Sequence, residues 1–402
     1  GTVFEHLLVQ SLTQFFNVGS HNHLRLEGAD WNDGLDMAKE NGESVAFSSM
    51  YAHNLQLLAG LLLKSGSKDV EIAAEMKMLL CRENYASPAK KNKLLNAYLA
   101  KTKFGLSGRK VRIKSLLLAA NLTEKSSWMR EHIRRREWLK EGFFNGYYDN
   151  KARRVEGRRG GRLRMMLASQ VFPIMSGTAT NEQIADILKN AERYLFDKKF
   201  KGYHLNTDFQ EEQHDLGRAF SFAYGNKENG AFFNHMVVML AYALYQRGFV
   251  KEGWRALDSI YRMSTDTEKC KIYPCLPEYF DAEGRGMYSY LTGSASWFVL
   301  TLLTGAFGVK GQCGDLLIEP KLSLEQFKGA KAVSIKRSFA GRPLQVNFSN
   351  PKMLPYGRYK ITGASLNGFN LEVKKQNSFL LSRRIIIRLP HNKLNRLDIK
   401  LG

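Results

Sequence analysis

Cysteine is scarce in this chain: Cys81, Cys270, Cys275 and Cys313 are the only thiols among 402 residues. So few and so scattered, they exclude a disulfide framework, and the Cys270/Cys275 spacing lacks the second Cys or His pair of a zinc site. Free thiols and no metal are expected. Long apolar runs are missing as well. None could span a membrane and no signal peptide opens the chain, so the expectation is a cytoplasmic protein without membrane contact. On that view the sequons at Asn121 and Asn347 carry no glycan. Acid is in short supply, with 38 Asp+Glu against 60 Lys+Arg and a net charge of +22. That excess means either an anionic partner or a solvated basic surface.

Apolar residue types make up 44% of the chain and charged ones 24%, which allows a sizeable core and argues against disorder. The first residues, Gly1 to Leu8, enter an amphipathic pattern with no initiator Met, as the interior of a longer protein would. From Ser44 to Lys64 apolar side chains recur at helical spacing: Phe47, Met50, Tyr51, Leu55, Leu58, Leu62. Further helical stretches are predicted over 69–81, 182–196, 230–247, 251–263 and 294–307, giving a succession of helical hairpins. The segment 205–230 is polar and glycine-punctuated, as expected of a functional loop.

From about residue 315 short β-type runs replace the helical pattern: Leu316–Ile318, Ala332–Ile335, Leu344–Phe348, Tyr359–Thr362, Leu371–Val373 and Arg384–Leu389. Asn367-Gly368 between two of them is a hairpin signal. The reading is a mainly α chain with a C-terminal β domain, divided into 1–312 and 313–402. The most basic section, 108–164, lacks any helix-turn-helix, finger or RNA-binding aromatic signature. It is read as a solvated face and exposed loop rather than a nucleic-acid surface.

Three segments carry chemistry. EGADWNDGLDMA, residues 27–38, sets an indole between acids and follows it with turn residues. As a calcium loop it fails: counted from Asp30, glycine falls at the fifth place and Asn41 at the twelfth, where an EF-hand needs glycine sixth and glutamate twelfth. As a sugar site it is coherent, because Trp31 can cover a pyranose face while a neighbouring Asp, kept protonated, reaches a glycosidic oxygen. KENGAFFNH, residues 227–235, ends in His235 at a helix start, either a core histidine or an anion ligand. YLTGSASW, residues 290–297, places Thr292, Gly293 and Ser294 before a helix, either as an ordinary N-cap or as a phosphate cradle.

Taken in order, DWNDG, KENGAFFNH and YLTGSASW resemble the inverting β-glucoside phosphorylases of glycoside hydrolase family 94. GFFNGYYD (142–149), SQVFPIMSG (169–177) and LIEP (317–320) extend the match over nearly the whole chain. That family includes cellobiose, chitobiose and laminaribiose phosphorylases, β-1,2-oligoglucan phosphorylases and the phosphorylase-like end of cyclic β-1,2-glucan synthases.

The resemblance implies an (α/α)6 barrel followed by a small sandwich- or jelly-roll-like β domain, with the barrel only partial here. The DWND acid arrives at residue 33, without the family's N-terminal β-sandwich, first barrel helices and upstream sugar-binding motif. A C-terminal fragment, the product of a split or decayed gene, or half of a two-chain enzyme would accommodate that, with a separate N-terminal half or a second copy of the chain as its partner. It further implies Asp33 as general acid, Trp31 and Asn32 at the donor sugar, and Glu228, Gln170 and Glu278 lining the sugar site. His235, Thr292 and Gly293 would hold phosphate. No cofactor is implied, since inorganic phosphate is the co-substrate; β-linked gluco-oligosaccharide is the other partner. An inverting hydrolase needs a second carboxylate to activate water, whereas phosphate is already an anionic nucleophile. One acid facing an anion pocket therefore suffices, and the product is α-glucose 1-phosphate. The approach EYFDAEGRGMYSYLTGSASW resembles the β-1,2-oligoglucan branch more than cellobiose phosphorylase. A hydrolase on the same barrel and an inactive sugar-binding remnant are the alternatives.

Overall fold

Thr2 accepts from the Glu5 amide while the Glu5 carboxylate accepts from the Thr2 amide, and this reciprocal cap starts the first helix, α1 (Val3–Phe16). The computed structural model describes residues 1–27, 35–83, 85–272, 275–289 and 292–402. They form two units, Gly1–Met236 with Tyr279–Arg285, and Val237–Glu278 with Gly286–Gly402.

In the first unit α1 is followed by α2 (Val45–Lys64), α3 (Pro88–Thr102), α4 (Ser115–Arg136), α5 (Ala168–Met175) and α6 (Asn181–Tyr194). Ser44 caps α2 by accepting from Phe47 N, and Ser126 on α4 donates to Ala52 O on α2 at 2.6 Å. Phe15, Phe16, Leu55, Leu58, Leu118 and Leu122 fill the core between these helices. Each such side chain contributes about 1.5–3 kcal/mol by leaving water.

Two expectations fail here. Residues 69–81 are not a helix. Asp69–Ala73 pairs antiparallel with Lys110–Lys114, and only Ala74–Leu80 coils, as a 3-10 turn. The alternation of Val70 and Ile72 matches that of Val111 and Ile113, so each strand completes the other. The basic section 108–164 is likewise more than an exposed loop, because α4 runs through it for 22 residues and buries Leu118, Leu122, Met129 and Ile133. Its arginines, Arg134 to Arg136, gather in the last turn, where the helix dipole favours cations.

Helix α7 (Asn234–Gln246) begins in the first unit and continues into the second, which also holds α8 (Val250–Thr265), α9 (Thr267–Cys270) and α10 (Gly293–Leu300). The β region follows. Its main sheet runs in the order Ala332–Phe339, Arg342–Ser349, Asn395–Leu401, Ile361–Leu366, Phe369–Leu371, antiparallel except for the central parallel pair of Arg342–Ser349 with Asn395–Leu401. Val309–Gln312, Asp315–Ile318 and Phe379–Leu381 make a smaller sheet, and both sheets share one core that includes Leu316, Ile318, Val346, Phe348, Leu397 and Ile399.

Asn367 and Gly368 turn the 361–371 hairpin with φ of +49° and +90°, as the dipeptide predicts. Two helical turns, α11 (Leu324–Phe327) and α12 (Arg383–Ile386), interrupt the β region. The second replaces the strand expected over 384–389: Ser382 caps it, and only Ile386 is buried. The chain is thus helix-rich with a C-terminal β region. Among the described residues no helix is long and apolar enough to cross a membrane, and no group of His, Cys, Asp or Glu is arranged to hold a metal. The four cysteines are free.

Candidate active site

Asp33, Trp31 and Asn32 lie outside the described residues; the segments before and after them meet in a small sheet. Leu24–Arg25 pairs with Glu43–Ser44, which pairs in turn with Tyr147–Tyr148. Leu26 N donates to Gly42 O at 3.0 Å, which extends this small sheet by one bond. Under it sits the buried carboxylate of Glu43, which accepts from the amides of His21 and His23 and meets His21 Nδ1 at 2.8 Å. On the return arm, the amides of Glu40 and Asn41 donate to Asn150 Oδ1. The described segments on either side of residues 28–34 therefore lead into the same small sheet as GFFNGYYD, more than a hundred residues on.

GFFNGYYD is anchored by two buried carboxylates. Glu137, 1% exposed, accepts from Asn145 Nδ2 at 3.0 Å and Tyr148 OH at 2.8 Å, and lies 3.1 Å from His23 Nε2. Burial alone would raise its pKa, but the His23, Asn145 and Tyr148 bonds outweigh that and lower it to about 2. Glu156 accepts from Gly146 N at 2.6 Å and Met166 N at 2.7 Å. It is buried deeply enough that desolvation pushes it up to about 8 in spite of those bonds. Gly146 leaves no alternative side chain, since a Cβ there would lie 2.0 Å from Ser169 Oγ.

Gln170, expected to line the sugar site, is fully buried. Its amide accepts from Phe144 N and donates to Phe144 O at 2.9 Å each, with longer contacts to Met166 O and Glu156. It joins SQVFPIMSG to GFFNGYYD.

The ladder continues into the next motif. Leu167 N donates to Leu205 O, Thr207 N to Met165 O, and Leu205 N to Ala231 O. Asn206, wholly buried, accepts from Gly230 N at 2.8 Å and donates to Asn229 Oδ1. The Gly230 φ is +75°, and a Cβ would sit 2.1 Å from the Tyr224 ring. The ENG turn is thereby fixed, with Glu228 on it half-buried. Phe232–Phe233 pairs with Tyr279–Phe280, and His235 follows in the first turn of α7. Burial lowers the His235 pKa, so the ring is neutral at pH 7 and has one N–H to donate.

In the second unit Glu278, Thr292 and Gly293 come together. Glu278 N donates to Met287 O, and Ser294 Oγ donates to Glu278 O at 3.3 Å, which ties the PEYF segment to the start of α10. Thr292 occupies the N-cap of that helix with extended backbone, yet its side chain makes no cap bond. Its hydroxyl is buried in a residue 8% exposed and has no hydrogen-bond partner among the described residues. The first amides of α10, like those of any helix, lack intrahelical acceptors. Sequence reasoning missed the residues that hold these loops: Glu43, Glu137, Glu156 and Asn206. A polar residue amid loop segments gives no signal of burial until its donors are known.

Residues 117–308 match the model of the glycosyl hydrolase 94 superfamily, catalytic domain, so this part of the chain is similar to that superfamily. It is 26% identical to cellobionic acid phosphorylase of Neurospora crassa over 54% of this chain and 28% of that protein. It is 23% identical to the cyclic beta-(1,2)-glucan synthase NdvB of Rhizobium meliloti over 81% of this chain and 10% of that one. With solabiose phosphorylase of Paenibacillus borealis it shares 21% over 90% of this chain and 42% of the relative. The chain thus spans well under half the length of these curated relatives. Among solved structures, an uncharacterised conserved protein from Thermus thermophilus is similar at 15% identity and a TM-score of 0.36 over 65% of this chain and 48% of that one, too low to carry an argument.

Proposed function

We propose that this chain carries the acid and the anion cradle of an inverting phosphorylase acting on β-linked gluco-oligosaccharides. The observation that supports this best is the Thr292 hydroxyl, buried and unpartnered at the N-terminus of α10. A buried hydroxyl without a partner costs about 1–3 kcal/mol. An oxyanion at the helix start would remove that cost and bind the amides behind it.

In this reading Asp33 protonates the departing sugar oxygen, Trp31 covers the donor ring, and Asn32, Glu228 and Glu278 bind hydroxyls. Thr292 and the Gly293 amide bind phosphate, and His235, uncharged, serves as a further hydrogen-bond donor in the reaction. Phosphate attacks the anomeric carbon from the face opposite the leaving group, forming the C–O bond of α-glucose 1-phosphate as the glycosidic bond breaks. Gln170 acts as a positioning residue beneath the 144–146 turn. Residues 1–312 would be the later part of an (α/α)6 barrel and 313–402 its β companion. A β-1,2-linked glucan is our preferred substrate, on the likeness of the EYFDAEGRGMYSYLTGSASW approach to the β-1,2-oligoglucan branch.

The test is incubation with β-1,2- and β-1,4-gluco-oligosaccharides with and without inorganic phosphate. Glucose 1-phosphate should form only with phosphate. Free glucose at equal rates in its absence would mean a hydrolase. Tryptophan fluorescence that responds to sugar with no product in either arm would mean a binding remnant.

A further inference from the structure

Away from these motifs, in the first unit, lies a cleft of about 550 Å3 between the 140–142 turn, the 157–164 hairpin and one face of α6. Four cations line it: Lys140, Arg158, Lys189 and Arg193. None of the four is in an ion pair with any described residue; Arg193 lies over the neighbouring Tyr194 ring at 5.1 Å, and Arg158 reaches Gly161 O at 3.4 Å. Lys189 and Arg193 stand four apart on α6, where like charges are mutually unfavourable. Four unpaired cations around one concavity make a potential that an anion would relieve.

The floor is built. Asn190 Nδ2 donates to Glu141 O at 3.0 Å and Gly142 O at 3.1 Å, stapling α6 to the turn. Gly142 holds φ at +85°, and an added Cβ would meet that same Nδ2 at 3.0 Å. The cleft therefore exists before any ligand arrives, which lowers the cost of binding. Its volume falls within the range of small-molecule sites.

Two carboxylates, Glu141 and Asp186, share the lining. They would repel a bare phosphate or a nucleic-acid backbone, but they accept readily from hydroxyls. Tyr194 adds a ring against which the apolar face of a pyranose can lie. We infer that this cleft binds an acidic oligosaccharide, its anionic group among the cations and its hydroxyls on Glu141 and Asp186. The inference goes beyond the phosphorylase reading and does not depend on it.

Calorimetric titration with cellobionic acid, with neutral cellobiose and with a short single-stranded RNA tests it, at low and at high salt. The acidic disaccharide should bind at least tenfold more tightly than the neutral one, and high salt should erase the difference. The double variant Lys189→Gln/Arg193→Gln should reduce the acidic sugar to the neutral level. Lys374→Gln/Lys375→Gln, which removes equal charge from another exposed site, should leave it unchanged. Equal binding of the two sugars overturns the inference, as does equal loss in both double variants or displacement of the sugar by RNA. Phosphate-dependent turnover of a neutral β-glucoside, followed in parallel, keeps the two readings apart. Equal binding of the two sugars by the unsubstituted chain, with turnover intact, sinks only this one.

Discussion

The motif-bearing loops and the C-terminal sheets are held by opposite means. Between residues 19 and 233 the segments are pinned by buried polar groups: Glu43 takes the amides of His21 and His23, Glu137 and Glu156 take donors from GFFNGYYD, and Asn206 takes the Gly230 amide. From Val309 onward two sheets close over an apolar core with ordinary alternation, as in the strand Asn395–Leu401. A polar pin fixes direction as well as distance, which suits a loop that must present one side chain. An apolar core fixes proximity and tolerates exchange. The difference teaches that the loops are built for placement and the sheets for bulk stability.

The sharpest way to separate placement from stability is Asp33→Asn. Turnover should fall on the order of a thousandfold while the thermal midpoint stays put, read by glucose 1-phosphate release and by calorimetry. Next comes a matched pair. Glu137→Ala strips the partner from buried His23 and should cost about 3–5 kcal/mol, and Phe348→Ala in the C-terminal core a similar amount. Only the first should also abolish activity under conditions where both variants remain folded by urea titration. Equal activity loss in the two would erase the contrast drawn above.

A third prediction concerns the helical core of the first unit, where Lys125 is wholly buried. Its ammonium donates to Cys81 O, Tyr85 OH and Asn121 Oδ1. Desolvation lowers its pKa to about 8, and buried Lys91, with Asn22 Oδ1 at 2.9 Å, is lowered in the same direction. Between pH 8 and the ordinary lysine range the unfolded chain holds the proton and the folded one does not, so stability rises with pH there. The gain from Lys125 is roughly 1–3 kcal/mol and should vanish in Lys125→Met, as followed by urea midpoints from pH 7 to 10.

The smallest effect is Thr292→Val. It removes an unpartnered hydroxyl, so stability should hold or rise by about 1 kcal/mol, while the KM for phosphate rises about tenfold. A variant with unchanged phosphate KM would separate Thr292 from the anion.

Much was legible beforehand. The α2 periodicity, the polar 205–230 loop and the Asn367-Gly368 hairpin each follow from neighbours in the chain, so local chemistry suffices. The strand Asp69–Ala73 was misread because its partner lies some forty residues later. Helix α4 was obscured by lysines and arginines whose stems or heads enter the core, Lys125 above all. The Arg384–Leu389 run looks β-branched, yet Ser382 supplies a helix cap and no sheet edge takes the segment. Gln170 was expected to touch sugar; its amide is instead bonded to the main chain of residue 144, which no spacing rule announces.

By itself the sequence determined which residue types exist to do chemistry: an indole beside acids, a histidine at a helix start, a threonine-glycine pair before another. It also determined the change from helical to β grammar near residue 312, since periodicity is a local property of side chains. Only the tertiary structure decided which motifs share a sheet and which carboxylates are buried to pin them. Burial and hydrogen-bond partnership depend on residues brought together across a hundred positions, and the physics of a buried charge does not begin until that packing exists.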